Sequence, residues 1–167
     1  MTGGAGLRTP LPATVVVASN RAAAGVYEDT TGPLIVEFLA GLGFEVGEPK
    51  VVSDGAPVGE AILAAIALGA RVVLTTGGTG LTPTDRTPEV TLPLLDREVP
   101  GLAEAIRAAG VAKGVPTAVL SRGLAGVAGT CLVVNLPGSR GGVKDALDVL
   151  GPVLVHAVEQ IVGSDHP

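Results

Sequence analysis

Thr75-Thr76-Gly77-Gly78-Thr79-Gly80-Leu81-Thr82-Pro83-Thr84-Asp85-Arg86-Thr87-Pro88-Glu89 leaves the apolar run Arg71 to Thr76 and enters a helical pattern. Three glycines in four positions let the backbone approach a ligand closely and aim its N–H groups at an anion. Threonine hydroxyls add neutral donors and the following helix adds partial positive charge at its N-terminus, so phosphate is the natural guest. Thr76, Gly77, Gly78, Thr79 and Gly80 are therefore candidate binding residues. No Lys-Ser/Thr pair follows, as a Walker A loop requires, and the glycines lack the Gly-x-Gly-x-x-Gly spacing of dinucleotide folds. A glycine-rich turn by itself fits a plain strand-to-helix connection equally well, and Asp85 is what shifts the balance. A carboxylate beside gathered phosphate makes sense when a divalent cation joins the two, because Mg2+ prefers carboxylate and phosphate oxygens.

Outward from this loop the chain alternates between two periods. Thr14 to Ser19, Phe44 to Ser53, Arg71 to Thr76, Ala118 to Ser121 and Thr130 to Leu136 read as strands, the second despite Pro49. Leu34, Ile35, Phe38, Leu39 and Leu42 share one helical face, as do Val58, Ile62, Ala65 and Ile66 in a helix stopped by Gly69. Two short helices are expected over Thr87 to Asp96 and Gly101 to Ala112, and one final helix carries Leu147, Leu150, Leu154, Val158 and Ile161. Strands alternating with helices of this length imply right-handed crossovers, hence a three-layer α/β/α sandwich around a mostly parallel sheet. Residues 1–12, with three glycines and two prolines, are expected to be a mobile lead-in, residues 13–163 a single domain, and residues 164–167 a tail.

In open α/β sheets ligands bind beyond the carboxyl ends of strands, which directs attention to the loops after Ser19, Ser53, Thr76, Ser121 and Leu136. Asp54 supplies a possible second carboxylate, although spacing alone favours an Asp-Gly turn with Gly55 or a cap for the helix near Val58. Leu120-Ser121-Arg122-Gly123 and Asn135-Leu136-Pro137-Gly138-Ser139 occupy equivalent places and would complete a binding rim. Their plainer reading is loop punctuation, with Ser121 or Ser139 capping a helix and Asn135 satisfying its own turn.

Composition narrows the classes further. Mean hydropathy is +0.53, yet the apolar stretch Ala61 to Leu74 is broken by Gly69 and Arg71, and Leu147 to Val162 carries Asp148, His156 and Glu159. Neither approaches the ~20 uninterrupted apolar residues of a membrane span. Arg8 followed by Val15, Val16 and Val17 only loosely imitates a signal peptide and reads as a buried first strand, and a single cysteine that can form no internal disulfide leads to the expectation of a cytoplasmic protein. The sole cysteine, Cys131, lies in an apolar run and reads as core. A net charge of -5 with no basic cluster, and only Tyr27, Phe38 and Phe44 as aromatics, argue against a nucleic-acid partner. His156 and His166 have no partner at metal-ligand spacing, which disfavours histidine-based catalysis.

From Thr14 to Val162 the chain resembles the MogA/MoaB family of molybdopterin-binding proteins, which includes the G domain of gephyrin. The resemblance rests on Ser19-Asn20-Arg21 with Gly25, Asp29 and Gly32-Pro33; on Thr-Thr-Gly-Gly-Thr-Gly with Asp85 and Thr87-Pro88; on Pro100-Gly101 with Glu104 and Arg107; on Ser121-Arg122; and on Asn135-Leu136-Pro137-Gly138. Asn20 stands where the family commonly has aspartate. The resemblance implies a homotrimer that transfers AMP from ATP to molybdopterin, releasing pyrophosphate, with a MoeA-type molybdenum insertase downstream; a MoaB-type pterin carrier without catalysis is the alternative. It also implies that Asp54 and Asp85 are needed for catalysis and hold Mg2+. Thr76, Gly77, Gly78, Thr79, Gly80, Ser121, Arg122, Asn135, Pro137 and Gly138 are implied to bind substrate, with Ser139 a weaker match.

Overall fold

The computed structural model describes residues 6–163. The expected tail with His166, and residues 1–5 of the expected lead-in, lie outside the described residues. Strand β1 (Pro12–Ala18) opens the sheet and is followed by a single-turn helix α1 (Asn20–Ala23), capped by the Ser19 hydroxyl. Helix α2 spans Gly32–Gly41; the Asp29 carboxylate accepts the N–H groups of Thr31 and Gly32 at 3.1 and 3.0 Å, which satisfies donors the helix cannot. The remaining elements are β2 (Glu45–Val46), β3 (Lys50–Val52), α3 (Ala56–Ala67), β4 (Val72–Thr76), α4 (Thr87–Thr91), β5 (Arg97–Glu98), α5 (Pro100–Ala112), β6 (Ala125–Ala128), β7 (Cys131–Leu136), α6 (Arg140–Leu150) and α7 (Leu154–Ile161).

The strands form one sheet in the order β2-β1-β4-β7-β6-β5, with β3 also paired to β1. Pairings among β1, β2, β3, β4 and β7 are parallel, while β6 runs antiparallel to β7 and β5. Side chains that alternate along the central strands enter two separate cores. Val15, Val17, Leu74 and Val134 pack with α2, α5, α6 and α7 on one face, whereas Val16, Val73 and Val133 pack with α3 on the other. The expected three-layer architecture around a mostly parallel sheet is what the chain adopts. Among the described residues no helix is long and apolar enough to cross a membrane.

Several local expectations are corrected. The run 118–121 is not a strand: Pro116–Leu120 forms a 3-10 turn, with Ser121 N–H donating to Ala118 O at 3.2 Å and the segment largely exposed. The strand in that region is β6, which the pattern hides because Gly126 carries no side chain. A methyl there would meet Arg97 O and a Leu95 methyl, both at 2.6 Å, so glycine is what lets the neighbouring chain approach. Gly47-Glu48-Pro49 divides the expected strand 44–53 into β2 and β3, since proline has no N–H for a ladder. Gly151-Pro152 likewise splits the expected final helix into α6 and α7, and Pro93 turns the end of the expected helix 87–96 into a 3-10 turn over Leu92–Leu94. In the described part of the lead-in, Leu7 and Leu11 pack against the core and Leu7 N–H donates to Leu42 O at 3.0 Å.

Candidate functional site

Gly77 and Gly78 begin the loop after β4 with φ of 89° and 67°, the left-handed region that favours glycine. Space forbids a side chain at both: a methyl on Gly77 would collide with Ala18 O, and one on Gly78 with Thr87 Oγ1. Thr87, fully buried at the start of α4, folds the loop back by donating its hydroxyl to Gly77 O at 2.9 Å and its N–H to Gly78 O at 3.0 Å. The Thr76 hydroxyl donates to Pro137 O at 2.6 Å, and Gly77 N–H to Leu136 O at 3.3 Å. The loops after β4 and β7 are thereby joined into one rim.

The two carboxylates flank this loop. Asp54 follows β3 closely, and its N–H donates to Asn20 Oδ1 at 2.9 Å. The Asp54 Oδ1 lies 3.1 Å from where a Gly78 methyl would stand. Burial pushes the Asp54 pKa above the ordinary carboxylate range, the Asn20 backbone opposes that shift, and the negative charge of Asp85 adds to it. Asp85 Oδ2 accepts the Thr82 N–H at 3.0 Å and lies 2.8 Å from where a Gly80 methyl would stand. Asp54 and Asp85, on either side of the loop, are the residues that could hold a divalent cation. Among the described residues no cluster of three or more His, Cys, Asp or Glu is poised to hold a metal. A cation here would complete its shell from water and phosphate, which suits Mg2+.

A cavity of about 710 Å³ opens against the loop. Gly78, Thr79, Gly80 and Asp85 line it on one side, and Ser121, Pro137, Gly138 and Ser139 along the rim. Ile106, Val115, Ala118 and Leu120 supply an apolar wall, with Lys113, Lys144 and Asp145 at the helical side. A smaller recess of about 270 Å³ lies across the loop, lined by Ser19, Arg21, Tyr27, Asp29, Thr76 and Gly77, and it shares Gly138 with the large cavity. The Arg21 guanidinium stands 5.8 Å from the Tyr27 ring centroid at this recess.

Two expected binding residues serve the frame of the site. Asn135 is only 4 % exposed and lines neither cavity. Its Nδ2 donates to the hydroxyls of Thr75 and Thr91 at 3.0 and 3.1 Å, and its Oδ1 accepts the Leu124 N–H at 3.0 Å. Arg122 grips the glycine loop from outside: its N–H donates to Thr79 O, Nε to Gly80 O at 2.9 Å and Nη2 to Asp85 O at 3.0 Å, while Nη1 pairs with Glu89. Ser139 caps α6 through the Gly142 N–H, at 3.0 Å, while still facing the cavity. The Ser121 hydroxyl accepts the Gly123 N–H at 3.3 Å, and Arg107 holds that loop through Ser121 O and Gly123 O.

Lys113, Lys144 and Asp145 escape the sequence reading. Lys144-Asp145 follows Pro137-Gly138-Ser139 by one to two helical turns, which is a usable signal. Lys113 ends a helix far along the chain and nothing local marks it.

Residues 14–156 match the family model described as a probable molybdopterin binding domain. Among characterised relatives, the molybdopterin adenylyltransferase of Escherichia coli is 37% identical over 86% of this chain and 77% of its own length. A molybdenum cofactor biosynthesis bifunctional protein of Synechococcus elongatus is 42% identical over 92% of this chain, and the chain spans only 48% of that relative's length. Among solved structures, the Mog protein of Mycobacterium ulcerans is 56% identical with a TM-score of 0.86, covering 90% of this chain and 99% of that one. The MoaB protein of Thermus thermophilus is 45% identical with a TM-score of 0.84, covering 92% and 98%. With the family model matched across the sheet, the glycine loop and the rim, this chain belongs to the molybdopterin-binding domain family of molybdenum cofactor biosynthesis.

Proposed function

We propose that this chain transfers AMP from ATP to the terminal phosphate of molybdopterin, releasing pyrophosphate. The observation that carries the reading is the glycine loop, flanked by Asp54 and Asp85, with a large part-apolar cavity on one side and a small polar recess on the other. A reaction that joins two phosphate-bearing substrates needs two compartments meeting at one anion-binding loop. Relatives named molybdopterin adenylyltransferase, 36% and 37% identical over most of the chain, support the same assignment.

In this reading the amides of Gly78, Thr79 and Gly80 hold the molybdopterin phosphate and the pterin extends into the large cavity. ATP lies across the loop, with its nucleoside end in the recess of Ser19, Arg21 and Thr76. A molybdopterin phosphate oxygen attacks the α-phosphorus of ATP, the bond to the bridging oxygen breaks, and pyrophosphate leaves. No covalent enzyme intermediate is required. Oriented amides suit this chemistry because they need no reorganisation as charge crowds onto the reacting phosphates. Asp54 and Asp85 are the residues that would hold Mg2+, and the ion would supply positive charge against the phosphate oxygens. Arg122 and Asn135 act by holding the loop and rim in place.

Residues 13–163 form one domain in this reading, and the protein works in the cytoplasm as a homotrimer that passes its product to a MoeA-type insertase. Exposed apolar side chains support an assembly, notably Leu68 at 86% and Val119 at 62%; light scattering that returned a monomer would remove it. The function itself is tested by pyrophosphate release from Mg-ATP, with and without molybdopterin. Pterin-dependent release is expected, and tight pterin binding without release would establish a carrier instead.

A further inference from the structure

Lys113 at the C-terminal end of α5 and Asp145 on α6 meet at 3.1 Å on the helical wall of the large cavity. Asp145 is the sheltered member, with its side chain 18% exposed; Asp148, the second carboxylate on Lys113 at 2.6 Å, is 72% exposed and does not line the cavity. The two carboxylates push the Lys113 pKa up, so the ammonium stays charged. Exposed ion pairs add little to folding stability. What the pair does offer the cavity is a carboxylate with two acceptor oxygens beside a cationic donor.

The chemistry of a bound pterin runs in the opposite sense. If its phosphate occupies the glycine loop, the pyrimidinone edge at the far end of the molecule points away from that loop, towards the helical wall. That edge presents the 2-amino group and N3–H as donors and O4 as an acceptor. A carboxylate and an ammonium side by side complement it, the carboxylate taking both donors in a bidentate pair. Ile106, Val115, Ala118 and Leu120 offer apolar surface to the ring faces between the two ends.

We propose that Asp145, with Lys113 beside it, reads the pyrimidinone edge of the pterin and sets specificity for a 2-amino-4-oxo ring. This rests on the reading of the cavity as the molybdopterin site. A guanine base carries the same donor and acceptor pattern, so the test must separate the two.

The experiment titrates the full chain with 6-phosphomethylpterin and with 6-phosphomethyllumazine, in which a 2-oxo acceptor replaces the amino donor, following ligand fluorescence. Wild type is expected to prefer the pterin by about tenfold, the effect of losing a hydrogen bond to a charged group. Asp145→Asn should erase the preference, because an amide can turn either a donor or an acceptor towards position 2. Lys113→Met should weaken both ligands alike, since both carry O4, and Asp148→Asn should leave the preference intact. An unchanged preference in Asp145→Asn overturns the proposal, and GMP displacing 6-phosphomethylpterin at equal concentration overturns the pterin as the ligand whose edge Asp145 reads. Wild-type KM for molybdopterin in Asp145→Asn, with normal pyrophosphate release, would overturn this inference alone. Absence of any molybdopterin binding by wild type would overturn the function as well.

Discussion

The side-chain oxygen of Asn20 accepts the backbone N–H of Asp54 at 2.9 Å. This bond ties the loop after β1 to the loop after β3 and fixes the backbone that carries the Asp54 carboxylate. Asn20→Ala removes the acceptor and should lower the rate of pyrophosphate release about tenfold or more, since small misplacements at a reacting centre are costly. Asn20→Asp keeps an acceptor but brings another negative charge. It should retain activity at neutral pH while shifting the acid limb of the pH–rate profile upward, as Asp54 becomes harder to ionise. Identical pH profiles for wild type and Asn20→Asp would remove the electrostatic part of this account.

Asp54 also makes a prediction about stability. Its folded pKa is raised, first by burial, so its favourable contribution is complete below the unfolded carboxylate pKa and is lost as pH rises through the folded value. At neutral pH the ionised carboxylate is therefore a net cost to folding. Asp54→Asn should melt higher than wild type at neutral pH, with the difference shrinking in acid, and should release no pyrophosphate. Calorimetry at the two pH values checks the sign.

Gly78 and Gly80 should respond differently to alanine. At Gly78 the positive φ and the Thr87 hydroxyl both oppose a side chain, so Gly78→Ala should cost about 1–3 kcal/mol of stability as well as phosphate binding. At Gly80 the obstacle is the movable carboxylate of Asp85. Gly80→Ala should fold as wild type and lose turnover, which urea unfolding and the pyrophosphate assay together would separate.

Arg122 bonds the carbonyls at both ends of the segment from Gly80 to Asp85. Lysine cannot span both carbonyls and Glu89 at once. Arg122→Lys should therefore lower kcat about tenfold to a hundredfold, with a raised magnesium requirement and little change in the affinity for molybdopterin. A variant that lost pterin affinity with kcat unchanged would return Arg122 to direct substrate contact.

Asn135 uses both kinds of hydrogen-bonding group internally. Asn135→Leu leaves the Leu124 N–H without its acceptor and should cost about 1–3 kcal/mol in urea unfolding. A stable variant with weakened ligand binding would contradict a framing role for Asn135.

The glycine loop, its flanking strand and the following helix were legible because each carries a local signal: an apolar run, glycines where side chains collide, and Pro88 at a helix start. The mostly parallel character of the sheet followed from alternation of strand and helix lengths, while the order β1-β4-β7 came only from the structure. β6 was not legible, because Ala125-Gly126-Val127-Ala128 takes its extended form from β7 and β5 rather than from its own propensity. The run 118–121 misled for the converse reason, having apolar residues but no neighbouring strand. For the site, residue type marked Asp85, Ser121 and Ser139, yet it could not say which way Arg122 and Asn135 point.

Sequence by itself determined the α/β class and the glycine-rich turn that leaves β4 with Asp85 beside it, since glycine freedom, helix period and charge are properties of neighbouring residues, whereas Asp54 stood out only through the family resemblance. Tertiary structure alone decided that Arg122 grips the loop, that Asn135 is buried among Thr75, Thr91 and Leu124, and that Lys113 meets Asp145 across two helices. Apart from the Leu124 contact, these join residues separated by long stretches of chain, and which side chains meet across such distances is set by how the helices and strands pack, not by local propensity.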